Sequence, residues 1–471
     1  MGYRQNASEI TTNYTDTLSK FVNDLKYEDI PSEVIERAKM IVLHTIGAAL
    51  ASKDHPMAEQ AVRLGKLAGV GGPQATLWTD GSKVSMISAA LANGTLSDIL
   101  NWEDCSWTGH PSAAAVPVAL AVAEAQKRSG KEFLTAVVLA YECYQRIAMV
   151  VQPPEDWNIN NGWGLICWQI FAGMVPAAKF AELSDERMNQ AFGFGATACP
   201  IPSNLHEVTM SDECHFEYGM RAKDGILCAM CAKAGVDNYM DCFDDPWSFE
   251  LHMTSSNRPD WYTKDLGKRW LTMETMLKHW PANMYLQNTM EITSDLIQQH
   301  GISADRVEEV VVDPPVAQCM EVNAEGFTSV QQAQFSVPFM LASLILDPVP
   351  GAQWFEEKKL TDSNVLDLAA RVHPGKSAAN DILQLFRDFQ EGNTPETTVT
   401  IRTVDGKEYS QSMQYHPGHP KNMFSREELK RSFHVQTRKV LTAEKADKIA
   451  EAFLNIDQYN DVADAVELLM N

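Results

Sequence analysis

The first half of the chain repeats one pattern: apolar stripes at helical spacing, crowded with alanine and glycine on both faces. From Ser32 to Leu50, Val34, Ile35, Ala38, Ile41, Val42, Thr45, Ile46 and Ala49 fall on one stripe, with Pro31 at the helix start. The same spacing predicts helices over Ser85 to Leu100, from His110-Pro111 through Ala125, from Glu132 to Val151 and over about Gly164 to Ala181. Ser184, with Asp185 and Glu186 in the first turn, starts another. Small residues on both faces let helices approach closely, so these segments predict a compact, largely buried bundle.

The pattern changes further on. Met240 to Arg269 is rich in Asp, Trp, Pro and Ser and reads as a long irregular connection. Beyond Lys278, a helix from Glu291 to His300 precedes a strand starting at Val307. The period-two run from Thr398 turns on Asp405-Gly406 as a hairpin. Helices are predicted at Gln332 to Leu346 and Ala378 to Phe389. A capping box at Ser425 to Glu428 opens another helix, and one from Glu444 to Leu454 closes the chain. The fold class is therefore mainly α. A large all-helical domain is formed by both chain ends, residues 1–273 and 413–471, with a smaller α+β lid domain inserted at 274–412.

Composition restricts partners. A net charge of −23, with no clustering of basic residues, argues against nucleic acid and anionic membrane surfaces. No apolar run of transmembrane length and no signal-peptide core are evident, and nine cysteines fit free thiols in a reducing cytoplasm. Cys228 and Cys231 form a C-x-x-C on what reads as a buried helix face, and one such pair cannot complete a zinc site. Gly193, Gly195 and Gly225 follow no strand and fit helix packing better than a nucleotide loop.

Four segments, in order, carry a resemblance. They are Val34 to Leu50; Asn93-Gly-Thr-Leu-Ser-Asp-Ile-Leu-Asn-Trp-Glu-Asp-Cys-Ser-Trp-Thr-Gly-His-Pro-Ser112; Leu277-Lys-His-Trp-Pro-Ala282; and Gln332-Ala-Gln-Phe-Ser-Val-Pro-Phe339. Together they resemble the MmgE/PrpD superfamily of dehydratases, decarboxylases and epimerases. The resemblance implies a helical domain with a lid, a homodimer, and a cofactor-free active site between the domains that handles a small carboxylate. It retains Asp104, His110 and Lys278. The chain departs from the family's pattern at Asn101, Cys105, Trp163, Cys214-His215 and Asn283, which argues for a substrate other than the tricarboxylates.

Dehydration, decarboxylation and epimerisation share proton transfer at a carbon next to a carboxylate. Each needs an acid or base tuned near neutrality and donors for the developing oxyanion. His110 at a helix start is the candidate acid/base, and Asp104 is the candidate carboxylate to orient it. Lys278 is the candidate cation for the substrate carboxylate. Asn101, Cys105, Trp163, His215 and Asn283 are candidate substrate contacts. Cys105 could serve as a weak donor or, beside His110, as a thiolate, and His215 could stand in for a missing lysine. Three readings compete: a cofactor-independent lyase or isomerase, a binding relative that has kept the scaffold without chemistry, and a metal enzyme using His206, His215 and Glu217. The last has no recognised ligand spacing, so no metal or cofactor is expected.

Overall fold

The computed structural model describes residues 10–69, 72, 74–106, 109–152, 166–200, 210–254, 258–316, 319–381, 384, 385, 387, 388 and 391–470. Among the described residues, nine α-helices precede the central connection: α1 (Tyr14–Asp24), α2 (Ser32–Ala51), α3 (Pro56–Leu67), α4 (Met86–Asp98), α5 (Ser112–Gln126), α6 (Gly130–Val151), α7 (Gln169–Phe180), α8 (Asp185–Ala198) and α9 (Cys214–Lys233). Sequence patterning locates α2 and α4 to α8 to within a few residues, whereas it does not predict α1 and α3. α9 begins a full turn and more before its apolar stretch. Ser129, Ser184 and Ser85 cap α6, α8 and α4 with their hydroxyls.

The small residues do what their spacing predicts. A Cβ on Gly219 of α9 would lie 2.1 Å from the Leu91 carbonyl of α4, and one on Gly94 would lie 2.7 Å from the Ala113 carbonyl of α5. The three helices therefore touch backbone to backbone, and α4 is buried on every side from Ser88 to Asp98. One expectation needs correction: α6 is long and apolar enough to cross a membrane by composition, although its apolar stretch is wholly buried inside the bundle.

The second half carries a four-stranded sheet in the order β6-β5-β7-β8, formed by β5 (Val307–Asp313), β6 (Val372–Pro374), β7 (Thr397–Thr403) and β8 (Glu408–Met413). β5 runs parallel to β6 and antiparallel to β7, and the β7–β8 hairpin turns at Asp405-Gly406 as predicted. Helix α10 (Gln287–His300) packs against β7 and β8. The predicted single helix from Gln332 is two, α11 (Val330–Phe335) and α12 (Val337–Leu346), because Ser336 leaves helical geometry to cap α12 with its hydroxyl. The predicted helix at 378–389 falls partly outside the described residues. After α13 (Ser363–Ala369), α14 (Arg426–Thr437) and α15 (Ala443–Leu454), the chain ends not at Leu454 but in one more helix, α16 (Ala463–Met470).

Two short strands tie the halves together. β1 (Ala75–Thr76) pairs with β2 (Lys83–Val84), whereas β3 (Asp104–Cys105) pairs with β4 (Met276–Leu277), some 170 residues away. That second pairing makes the candidate site.

Candidate active site

Segment 271–278 is held in place by polar groups on buried helices. Glu142 of α6 accepts the Leu271 and Thr272 amides and the Thr272 hydroxyl, its charge balanced by Arg146 at 2.7 Å. Gln145 donates to the Leu271 carbonyl and the Thr275 hydroxyl, Arg37 donates to the Thr275 carbonyl, and His44 Nε2 lies 2.9 Å from the Lys278 carbonyl. A fixed backbone at Thr275 to Lys278 then pairs with Asp104-Cys105. Lys278 is thereby delivered under the loop that joins α4 to α5.

That loop reverses at Asn101, whose φ of 50° is tolerated by asparagine better than by most side chains. The reversal turns Glu103 inward. Lys278 is wholly buried and directs its ammonium at the Asn101 carbonyl (3.1 Å), the Asn101 amide oxygen and Glu103 Oε1 (2.5 Å). Three acceptors take the three N–H groups. The expectation of a cation free to hold a substrate carboxylate is replaced by one committed to Glu103 and Asn101. Burial alone would raise the Glu103 carboxyl, but Lys278 and His110 outweigh it and hold Glu103 well below the usual carboxylate range.

His110 Nδ1 lies 2.6 Å from Glu103 Oε1 and 3.0 Å from the Asp104 carbonyl. Both neighbours are acceptors, so Nδ1 carries a proton, and with a single ring proton the imidazole presents its lone pair at Nε2. Among the described residues Nε2 has no hydrogen-bond partner. The orienting carboxylate is thus Glu103, not Asp104 as the sequence suggests. The Asp104 carboxylate instead accepts the Ser112 amide at the start of α5 and the Tyr141 hydroxyl. Strand alternation would aim Glu103 away, but β3 begins only at Asp104, so alternation does not govern the residue before it.

The other candidates divide. His215, near the start of α9, is 1% exposed and places Nδ1 2.6 Å from Asp98 Oδ2, at the last residue of α4. One turn on, Tyr218 meets the His110 ring edge-on at 5.7 Å between centroids. Cys105 packs against Met276, Met284 and Leu385, and burial pushes its thiol far up, which disfavours the thiolate. Asn283 uses its side-chain oxygen to cap the turn at Tyr285. Trp163 and His206 lie outside the described residues, and Glu217 is not among the groups that converge with His215.

Asp98, like Glu103, is a residue that sequence reasoning missed. Its signal was a carboxylate at the end of a helix with no polar face. Single ligand atoms of Asp98, Glu103 and His110 lie within 4.8 Å of one another, a spacing that could hold a cation. Yet Lys278 already places its ammonium 2.5 Å from Glu103 Oε1 and 3.5 Å from His110 Nδ1, so a metal there would face a fixed positive charge. The donor set does not fit a metal.

The arrangement is suited to moving protons in a buried, charge-balanced space. Comparison with known proteins places it in context. The sequence model of the MmgE/PrpD N-terminal domain matches residues 16–262, and that of the C-terminal domain matches 280–458. Cis-aconitate decarboxylase of Aspergillus terreus is 23% identical over 98% of this chain and 97% of its own length. The human protein of the same name is 21% identical over 97% of this chain and 94% of its own. With both domain models matched in order over most of its length, the chain belongs to the MmgE/PrpD family.

Proposed function

We propose that the protein is a cofactor-independent lyase, a hydro-lyase or decarboxylase, acting on a small carboxylate by proton transfer at the carbon next to the carboxyl group. The single observation that carries this reading is the imidazole of His110, fixed at Nδ1 by Glu103 and open at Nε2. An imidazole oriented through Nδ1 with Nε2 open can serve as a general base, and such positioned proton transfer contributes about 10²–10⁴-fold in rate. The full-length likeness to cis-aconitate decarboxylases supports lyase chemistry on a carboxylate. Because Lys278 is occupied, the substrate carboxylate takes its donors elsewhere, which fits a substrate less charged than a tricarboxylate. Residues 274–412 act as the lid in this reading, and the chain works as a cytoplasmic homodimer.

An epimerase on the same scaffold is the second reading, favoured by the presence of two carboxylate-held imidazoles, His110 and His215. Incubation with a panel of small di- and tricarboxylates separates the alternatives. Appearance of an alkene or release of CO₂ supports the lyase, and inversion without either supports the epimerase. A ligand that stabilises the protein yet returns unchanged would instead indicate a binding relative.

A further inference from the structure

Two imidazole–carboxylate pairs, not one, meet at this site. His110 bonds Glu103 and His215 bonds Asp98, each at 2.6 Å. The pairs are joined, since ligand atoms of Asp98, Glu103 and His110 lie within 4.8 Å of one another and Tyr218, on the His215 face of α9, abuts the His110 ring. His215 Nε2 is buried and has no hydrogen-bond partner among the described residues. A buried polar nitrogen left unsatisfied is costly, and such a group calls for a ligand.

Charge balance says which proton state this pair holds. Glu103 is neutralised by Lys278. Asp98 has no lysine or arginine partner among the described residues, so a buried negative charge would remain unless the Asp98–His215 pair keeps a proton. The groups acting on His215 agree: burial opposes its charge, but Asp98, then Asp212 and Glu103, more than compensate. His55 also lies near enough to feel its charge.

We propose that His215, held by Asp98, is a second proton-transferring residue, acting as the acid that complements His110 as the base. The proposal rests on the lyase reading above and sharpens it toward loss of water from a β-hydroxy acid. His110 Nε2 removes the proton from the carbon next to the carboxylate. That electron pair first rests on the carboxylate as an enolate, from which return of a solvent-derived proton gives exchange. It then forms the carbon–carbon double bond as the neighbouring C–O bond breaks, the departing oxygen keeping the C–O pair and taking the proton from His215 Nε2–H. The products are an unsaturated acid and water, with His110 protonated and His215 neutral, and solvent resets both.

The test follows carbon-bound hydrogen exchange in D₂O and water loss in parallel, with (R)- and (S)-malate, citrate and 3-hydroxybutyrate as probes. His215→Asn keeps a donor toward Asp98 but removes Nε2. It is expected to retain exchange near the wild-type rate while water loss falls about 100-fold, whereas His110→Gln loses both. Wild-type water loss in His215→Asn, or equal loss of exchange and turnover in a folded variant, would overturn the donor role. No exchange by the wild type on any probe would overturn the underlying lyase reading instead. Nitrogen NMR of the unliganded wild type gives a readout that needs no substrate. His215 is expected to carry protons on both ring nitrogens at pH 7 and to lose one in Asp98→Asn. A neutral His215 in the wild type contradicts the proposal.

Discussion

Two buried histidine clusters border the segment around Lys278, and they are built on opposite principles. In one, His110 and His215 each face a carboxylate at 2.6 Å. In the other, on the turn after β8, His416 bonds the Pro417 carbonyl at 2.8 Å, and His419 bonds the Thr394 hydroxyl at 2.9 Å and accepts the Lys421 amide. Burial pushes His416 down to about 4 and His419 to about 3. His44, bonded to the Lys278 carbonyl, is likewise pushed to about 4. An imidazole whose ring is bonded to carbonyl, hydroxyl or amide groups is pushed down by burial and acts as a buried strut, while one bonded to a carboxylate keeps its proton chemistry. Burial alone does not distinguish them; the partner does.

The largest contrast is expected in catalysis. His110→Gln should lower kcat by about 10²–10⁴-fold with a small change in thermal midpoint, and His416→Asn should leave kcat unchanged while lowering the midpoint. If the two variants lose activity equally, the comparison is broken.

Next in size is the buried pair that sustains the first cluster. Lys278→Met strands Glu103 and should lower unfolding free energy by about 3–5 kcal/mol, read from urea midpoints. The double variant Lys278→Met/Glu103→Gln should recover part of that loss. Additive losses would show that the two side chains are not coupled.

Stability against pH should carry opposite signs in the two clusters. His416 is neutral when folded, but the unfolded chain takes up its proton below about pH 6.5. Its stabilising contribution is therefore lost as pH falls from 6.5 toward 4, by roughly 3 kcal/mol at about 1.4 kcal/mol per unit. His215 is raised, so its contribution is present below the unfolded value and is lost as pH rises through its folded value. His416→Asn should flatten the acid limb of the stability curve, and His215→Asn the alkaline one. The smallest expected effect is Cys105→Ala, about 1 kcal/mol in stability with activity retained.

Much of this was legible in the chain. The Ala- and Gly-rich stripes announce close helix packing, and the Asp405-Gly406 turn announces the hairpin. His110 stands out at a helix start after a polar loop. What was not legible depends on long-range placement. The orienting role passes from Asp104 to Glu103 because a left-handed Asn101 turns the loop before β3 begins, and no local pattern encodes that reversal. Lys278 reads as a cation for the substrate carboxylate, yet the polar groups of α2 and α6 pin it into a fully buried pair. Asp98 acquires meaning only when α9 delivers His215 to it, across more than a hundred residues.

The most direct test of the central claim is proton exchange in D₂O, followed by NMR over small mono-, di- and tricarboxylates with wild-type protein and His110→Gln. Exchange at a carbon next to a carboxylate, present in the wild type and lost in the variant, is the predicted result. Exchange that persists undiminished in a folded His110→Gln would contradict the assignment of His110 as the base.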